Sequence, residues 1–113
     1  MSEKKKKIRS AFRNAVFNRD DWKCVVCGLD GYNGIHPEER LDAHHITNRN
    51  QMVGGGFVKE NGISLCKASC HLKAEEYLLG SVLHEGFSPD ELYQKVGSNY
   101  EEAVEASKQL GRP

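Results

Sequence analysis

Asn61-Gly62-Ile63-Ser64-Leu65-Cys66-Lys67-Ala68-Ser69-Cys70-His71 is the stretch whose reading decides the fold. It leads from an Asn-Gly turn signal through an apolar run into a CxxxC and a histidine. Phe57 to Leu65 predicts a strand interrupted near Asn61-Gly62, and a helix is predicted to start near Ser69 and run to Leu79, with Gly80 as its stop. Upstream, Cys24-Val25-Val26-Cys27-Gly28 adds a CxxC. Two cysteine pairs so spaced can bring two short loops to one tetrahedral zinc. Gly28 suits the turn behind the first pair, because glycine tolerates a positive φ. The second pair falls at a helix start, where the positive end of the helix dipole favours thiolates. Cys24, Cys27, Cys66 and Cys70 are therefore expected to hold a structural zinc; two disulfides or four unliganded core cysteines are the other readings. The N-terminal Met-Ser-Glu-Lys-Lys-Lys-Lys has no apolar segment behind it, so no secretory signal is expected. A reducing, cytoplasmic setting follows as an expectation, and it favours metal over disulfides.

Working outward, Leu41-Asp42-Ala43-His44-His45-Ile46 reads as the partner strand. Neighbouring side chains on a strand point to opposite faces, so adjacent histidines suit two different jobs better than joint chelation of one ion. One can be a metal ligand and the other a base, since an imidazole titrates near neutral pH. A packed core histidine beside an exposed one is the bland alternative. Residues 5–18 predict a helix, with Ile8, Phe12 and Val16 on its apolar stripe, Ala11 and Ala15 beside them, and Arg9 and Arg13 on a shared face. Asn18-Arg19-Asp20-Asp21 breaks it. Residues 29–40 read as an exposed loop, and residues 47–56, ending in three glycines, as a flexible one. Ser88-Pro89-Asp90-Glu91 is a capping box opening a helix to about Gly97; Ser98-Asn99-Tyr100-Glu101 predicts a second cap and a helix to about Leu110, before Gly111.

The 113 residues, 38% hydrophobic and 28% charged, suit one globular domain over 1–113, with a motif core at about 12–79 and a helical extension at about 81–113. No stretch approaches the roughly 18 apolar residues of a membrane span. The net charge of zero hides a polarity: residues 1–27 carry eight Lys/Arg against three Asp/Glu, and residues 74–113 carry three against eight. A basic end attracts phosphates, although Lys4 to Lys7 reads equally well as a solvated tail.

Taken in order, Arg19-Asp20, Cys24-x-x-Cys27-Gly28, Asp42-x-His44-His45-Ile46, Asn61-Gly-Ile-x-Leu-Cys66 and Cys70-His71 resemble the HNH endonuclease motif, and the chain resembles the small HNH proteins of phages and prophages. CxxxC in place of the usual CxxC departs from that pattern by one residue. The resemblance implies an α+β fold: a treble-clef, ββα-metal core stapled by a four-cysteine zinc site, one helix before it and two after. It implies His45 as general base and a single divalent ion (Mg²⁺, Mn²⁺ or another transition metal) held by His44, with Asn61, His71 or both as partners. His45, Asn61 and His71 map to the three letters of the name, and Asp42 to a supporting acid. Glu75, four residues after His71 on the same helix face, is a further candidate ligand, against the bland reading of a surface charge. The implied substrate is nucleic acid, with double-stranded DNA favoured; no membrane is implied, and a packaging or other protein partner would meet the acidic C-terminal helices.

A zinc-stabilised module that binds nucleic acid without cutting it is the alternative; the constellation of His44, His45 and Asn61 counts against it. His36-Pro37-Glu38 matches the H-x-E of zinc nucleobase deaminases, but Leu65 stands where their P-C-x-x-C needs proline. His36 and His84 are expected to be incidental, Trp22 to be a core residue beside the cysteines, and Arg49 and Lys59 to be solvated or touching phosphate.

Overall fold

The computed structural model describes residues 3–31 and 37–110. His36 lies outside the described residues, as do the side chain of Glu38 and the Gly111 stop. Helix α1 spans Glu3–Arg19, starting two residues before and ending one residue after the expected 5–18. Its stripe is as expected in Phe12 and Val16, which are buried together with Phe17, while Ile8 is half-buried. The turn that ends it falls on Asp21 and Trp22, both at positive φ (56° and 58°), and the Trp22 N–H closes back on the Phe17 carbonyl at 2.9 Å. Asp20 fastens this corner to the sheet, accepting the Ser64 N–H at 2.9 Å.

After a single helical turn, α2 (Pro37–Arg40), the chain enters β1 (Leu41–His45), which pairs antiparallel with β2 (Gly62–Cys66). The register sets Leu41 opposite Cys66 and His45 opposite Gly62. Every residue of β2 is buried. Gly62 permits this: a Cβ there would sit 2.4 Å from Val16 Cγ2, so only glycine lets α1 press this closely on the strand.

The expected strand over residues 57–61 is absent; a short 3₁₀ turn, Lys59–Asn61, takes its place. Two causes act together. Gly54, Gly55 and Gly56 all adopt positive φ, which turns the chain away from an extended path. The Asn61 side chain also bonds both backbone groups of Thr47, substituting for the ladder.

Helix α3 (Cys70–Leu79) starts after Ser69 and ends at Gly80, whose φ of 75° makes the left-handed cap expected there. Helix α4 (Pro89–Lys95) has the predicted capping box, reciprocal between Ser88 and Glu91, but stops at Lys95 rather than running to Gly97. Helix α5 (Tyr100–Gln109) is capped by Asn99, not by Ser98: Asn99 Oδ1 accepts the Glu102 N–H at 2.8 Å. The Ser98 hydroxyl instead donates to the Glu60 carbonyl at 2.9 Å. The result is an α+β domain whose core joins Phe17, Leu41, Ile46, Ile63 and Leu65 to Leu92, Tyr93 and Ala103 from the last two helices. Among the described residues no helix is long and apolar enough to cross a membrane.

Candidate metal centres and the basic cleft

The four cysteines meet. Their sulfur atoms all lie within 4.8 Å of one another, with Cys24, Cys66 and Cys70 buried and Cys27 exposed. Cys27 and Cys66 Sγ are 3.7 Å apart. A tetrahedron of zinc–sulfur bonds of about 2.3 Å has edges of roughly 3.8 Å, so the set has the dimensions of a structural metal site. Backbone geometry supports it. The Cys27 N–H points at Cys24 Sγ (3.5 Å) and the Cys70 N–H at Cys66 Sγ (3.3 Å), the donors a metal thiolate requires. Gly28, at φ 80°, makes the turn behind the first pair, with its N–H on the Cys24 carbonyl. Burial raises the Cys66 thiol, but the Cys70 and Ser69 N–H groups outweigh it and hold the thiol at about 7. Burial and the neighbouring sulfurs push Cys70 upward. Thiolates this close repel one another unless a cation sits among them.

A second convergence forms where β1 meets α3. Ligand atoms of His44, His71 and Glu75 all lie within 4.8 Å of one another. Helical spacing of four brings Glu75 Oε1 to 3.0 Å from His71 Nε2. The other ring nitrogen of His71, Nδ1, lies 2.6 Å from Asp42 Oδ2, and Lys67 Nζ holds the far oxygen of Asp42 at 2.5 Å. Hydrogen bonding to Asp42 raises the His71 pKa; burial works against the Asp42 carboxylate, but His71 and Lys67 win and lower it. If Nδ1–H donates to Asp42, the lone pair of Nε2 faces a carboxylate oxygen. Two acceptors at 3.0 Å need a proton or a cation between them. His44 makes the same demand: it is 2% exposed, and neither ring nitrogen has a hydrogen-bonding partner. Its Nδ1 is 3.4 Å from Glu75 Oε1, close enough for charge to act but too loose for a formed hydrogen bond. Contact with His44 lowers Glu75 to about 2, and burial lowers His44. A buried imidazole with two orphaned nitrogens beside an ionised carboxylate fits a divalent cation.

The two adjacent histidines part company as strand geometry requires. His44 turns to α3, its ring centroid 5.1 Å from that of His71. His45 turns to α1, stacked on Phe12 at 4.4 Å and nearly perpendicular to Phe57 at 4.8 Å between ring centroids. Burial, then Arg49, lowers His45 to about 4, so it is neutral at pH 7. Both rings line one cleft of about 480 Å³ with Asp42, His71 and Glu75, and Arg9, Arg13, Asn48 and Arg49 line the same cleft.

Asn61 is not brought to this cluster. It is fully buried, and its carboxamide is spent: Oδ1 accepts the Thr47 N–H and the Tyr93 hydroxyl, and Nδ2 donates to the Thr47 and Gly56 carbonyls. His84 pairs with Glu76 at 3.0 Å, away from the cleft. Trp22 is half-buried and packs on Phe17 at 5.4 Å. Lys59 is an exposed residue whose carbonyl receives the Arg19 guanidinium. Arg9, Arg13 and Asn48 gave no decisive signal in the sequence, although the shared helical face of the two arginines was readable; what they face comes only from folding.

No family model matches the chain, and no curated protein or solved structure matches it.

Proposed function

We propose that this chain is a metal-dependent endonuclease of the HNH type, with a treble-clef core stapled by zinc on Cys24, Cys27, Cys66 and Cys70. The observation that carries the reading is one cleft that combines a cation-ready trio, a neutral histidine and a wall of arginines. His44, His71 and Glu75 would hold one divalent ion, and Asp42 fixes the His71 ring so that Nε2 faces it. When bound, such an ion supplies positive charge beside the phosphoryl oxygens and the leaving oxygen. Arg9, Arg13 and Arg49 hold the phosphate backbone, which is the source of most nucleic-acid affinity. His45 takes the proton from the attacking water. Burial and Arg49 keep it in the neutral form a base needs, and a phosphate seated on Arg49 offsets part of the charge that makes it weakly basic. Asn61 shapes the loop that carries Asn48 and Arg49, so His71 rather than Asn61 completes the ion's ligands. DNA is the favoured substrate, in a cytoplasmic setting.

Supercoiled plasmid, linear duplex, single-stranded DNA and RNA incubated with the zinc-loaded protein and Mg²⁺, Mn²⁺ or another divalent metal test the reading. Cleavage should appear, and His45→Ala should slow it by about 10²- to 10⁴-fold while leaving metal affinity intact. His44→Ala should instead weaken the metal and recover partly at higher metal concentration. A chain that binds DNA but cuts nothing with any metal is a binding module, and a His45→Ala protein that cuts at the wild-type rate removes the base from the mechanism.

A further inference from the structure

Beside the metal cleft lies a second, larger one of about 680 Å³, with Ile8, Arg9, Asn48, Arg49, Asn50 and Phe57 on its walls. Its volume falls within the roughly 300–1,000 Å³ of small-ligand sites. The two clefts are continuous in their lining, for Arg9, Asn48, Arg49 and Phe57 belong to both. Resting on the nuclease reading of that neighbour, we propose that the second cleft is a nucleotide subsite, taking one unpaired base and its phosphate from a single strand next to the scissile bond.

The division of chemistry within the cleft favours this occupant. Ile8 and Phe57 offer an apolar wall, both half-buried rather than sealed in the core. Exposed Arg9 and Arg49 offer cationic rims, and the Arg49 guanidinium lies over the Phe57 ring, 5.8 Å from its centroid. Asn48 and Asn50, both exposed, add carboxamides of the kind that read base edges. A stacked duplex offers phosphates and groove edges to a protein surface and keeps its base faces hidden, so it would leave the apolar wall unused. A base swung out of the stack uses the wall and the rims together, and does so with little regard to sequence, since every base has an apolar face. The wall is held from behind: Phe57 meets Phe12 edge-on at 5.8 Å, and a Cβ on Gly55 would sit 3.0 Å from its ring, so the glycine loop fits around it.

Fluorescence polarisation without added divalent ions tests the site without cutting. The probes are a labelled octathymidylate, the same backbone with every position abasic, and a duplex of equal length. The base-bearing single strand should bind about 5- to 150-fold more tightly than the abasic one, the worth of a single stacked base. Ile8→Gln, at a half-buried helix position, should erase most of that preference with the circular dichroism spectrum unchanged. Arg49→Gln should weaken both strands together. Equal binding of the base-bearing and abasic strands overturns the proposal, as does a preference that survives Ile8→Gln, or an octaglutamate peptide that competes as well as the octathymidylate. If no substrate is ever cut but the abasic penalty stands, the nuclease reading fails and the nucleotide subsite stands.

Discussion

His45 sits between two aromatic rings with its Nε2 buried and without a hydrogen-bonding partner. Its folded-state pKa of about 4 lies below the ordinary 6.5, so the unfolded chain takes up a proton first as the pH falls. The stability that depends on a neutral His45 is therefore full above pH about 6.5 and lost as the pH falls through about 4. His45→Phe keeps the ring and removes the titration. Its melting temperature relative to the native protein should rise on going from pH 7.5 to pH 5, by thermal melts in matched zinc. A difference constant with pH would mean that the ring is already hydrated. Asn61 shows the opposite residue-scale logic, because it works through orientation rather than charge. Asn61→Asp would aim an acceptor at the Thr47 and Gly56 carbonyls, where Nδ2 now donates at 3.1 and 3.2 Å. A loss of about 2–4 kcal/mol in denaturant unfolding is expected, since buried donors become a charge facing two carbonyls.

At the scale of elements, the cysteine loops and α3 form one device. The turn after α1 supplies Cys24 and Cys27, β2 ends on Cys66, and α3 begins on Cys70. The same helix then carries His71 and Glu75 to β1, so the cysteine cluster at its start and the histidine cluster share one element. Cys66→Ser should abolish tight binding of about one zinc per chain and unfold most of the domain, because in small metal domains binding energy is folding energy. Zinc content by elemental analysis and the circular dichroism spectrum check this together; a metal-free chain that stays folded under reducing conditions would overturn it. Much of this was legible beforehand. Gly28 and Gly80 stand at their turns, and the helix begins beside Ser69, because local backbone preferences act over a few residues. That no strand forms over 57–61 was not legible: the apolar pattern that predicted one is overridden by bonds from Asn61 to Thr47, fourteen residues away.

Across the whole molecule, the C-terminal helices hold the loop that faces the clefts. Tyr93 on α4 donates to Asn61, and the Ser107 hydroxyl on α5 accepts the Gly56 N–H at 3.1 Å and donates to the Val53 carbonyl. Leu92, Tyr93 and Ala103 are core residues. Truncation after Gly80 should therefore destabilise the entire domain rather than remove an appendage, and Ser107→Ala should cost about 1–3 kcal/mol by leaving a buried N–H unpaired. Denaturant unfolding of both variants reads the effect; a truncated chain of native stability would show the extension to be a separate module.

By itself the sequence determined the two cysteine pairs, the helices with the Gly80 stop of α3, one proper capping box and the opposed directions of His44 and His45. All of these depend on spacing, on the two-residue period of a strand or on local capping. Only the tertiary structure decided that Glu75 belongs with His44 and His71, that Asn61 is spent on Thr47, Gly56 and Tyr93, and that Arg9 and Arg13 face the cleft. The reason is physical. These facts depend on contacts between residues tens of positions apart, and such contacts exist only once burial of α1 against β2 and of α4 and α5 against the loop fixes how the elements lie.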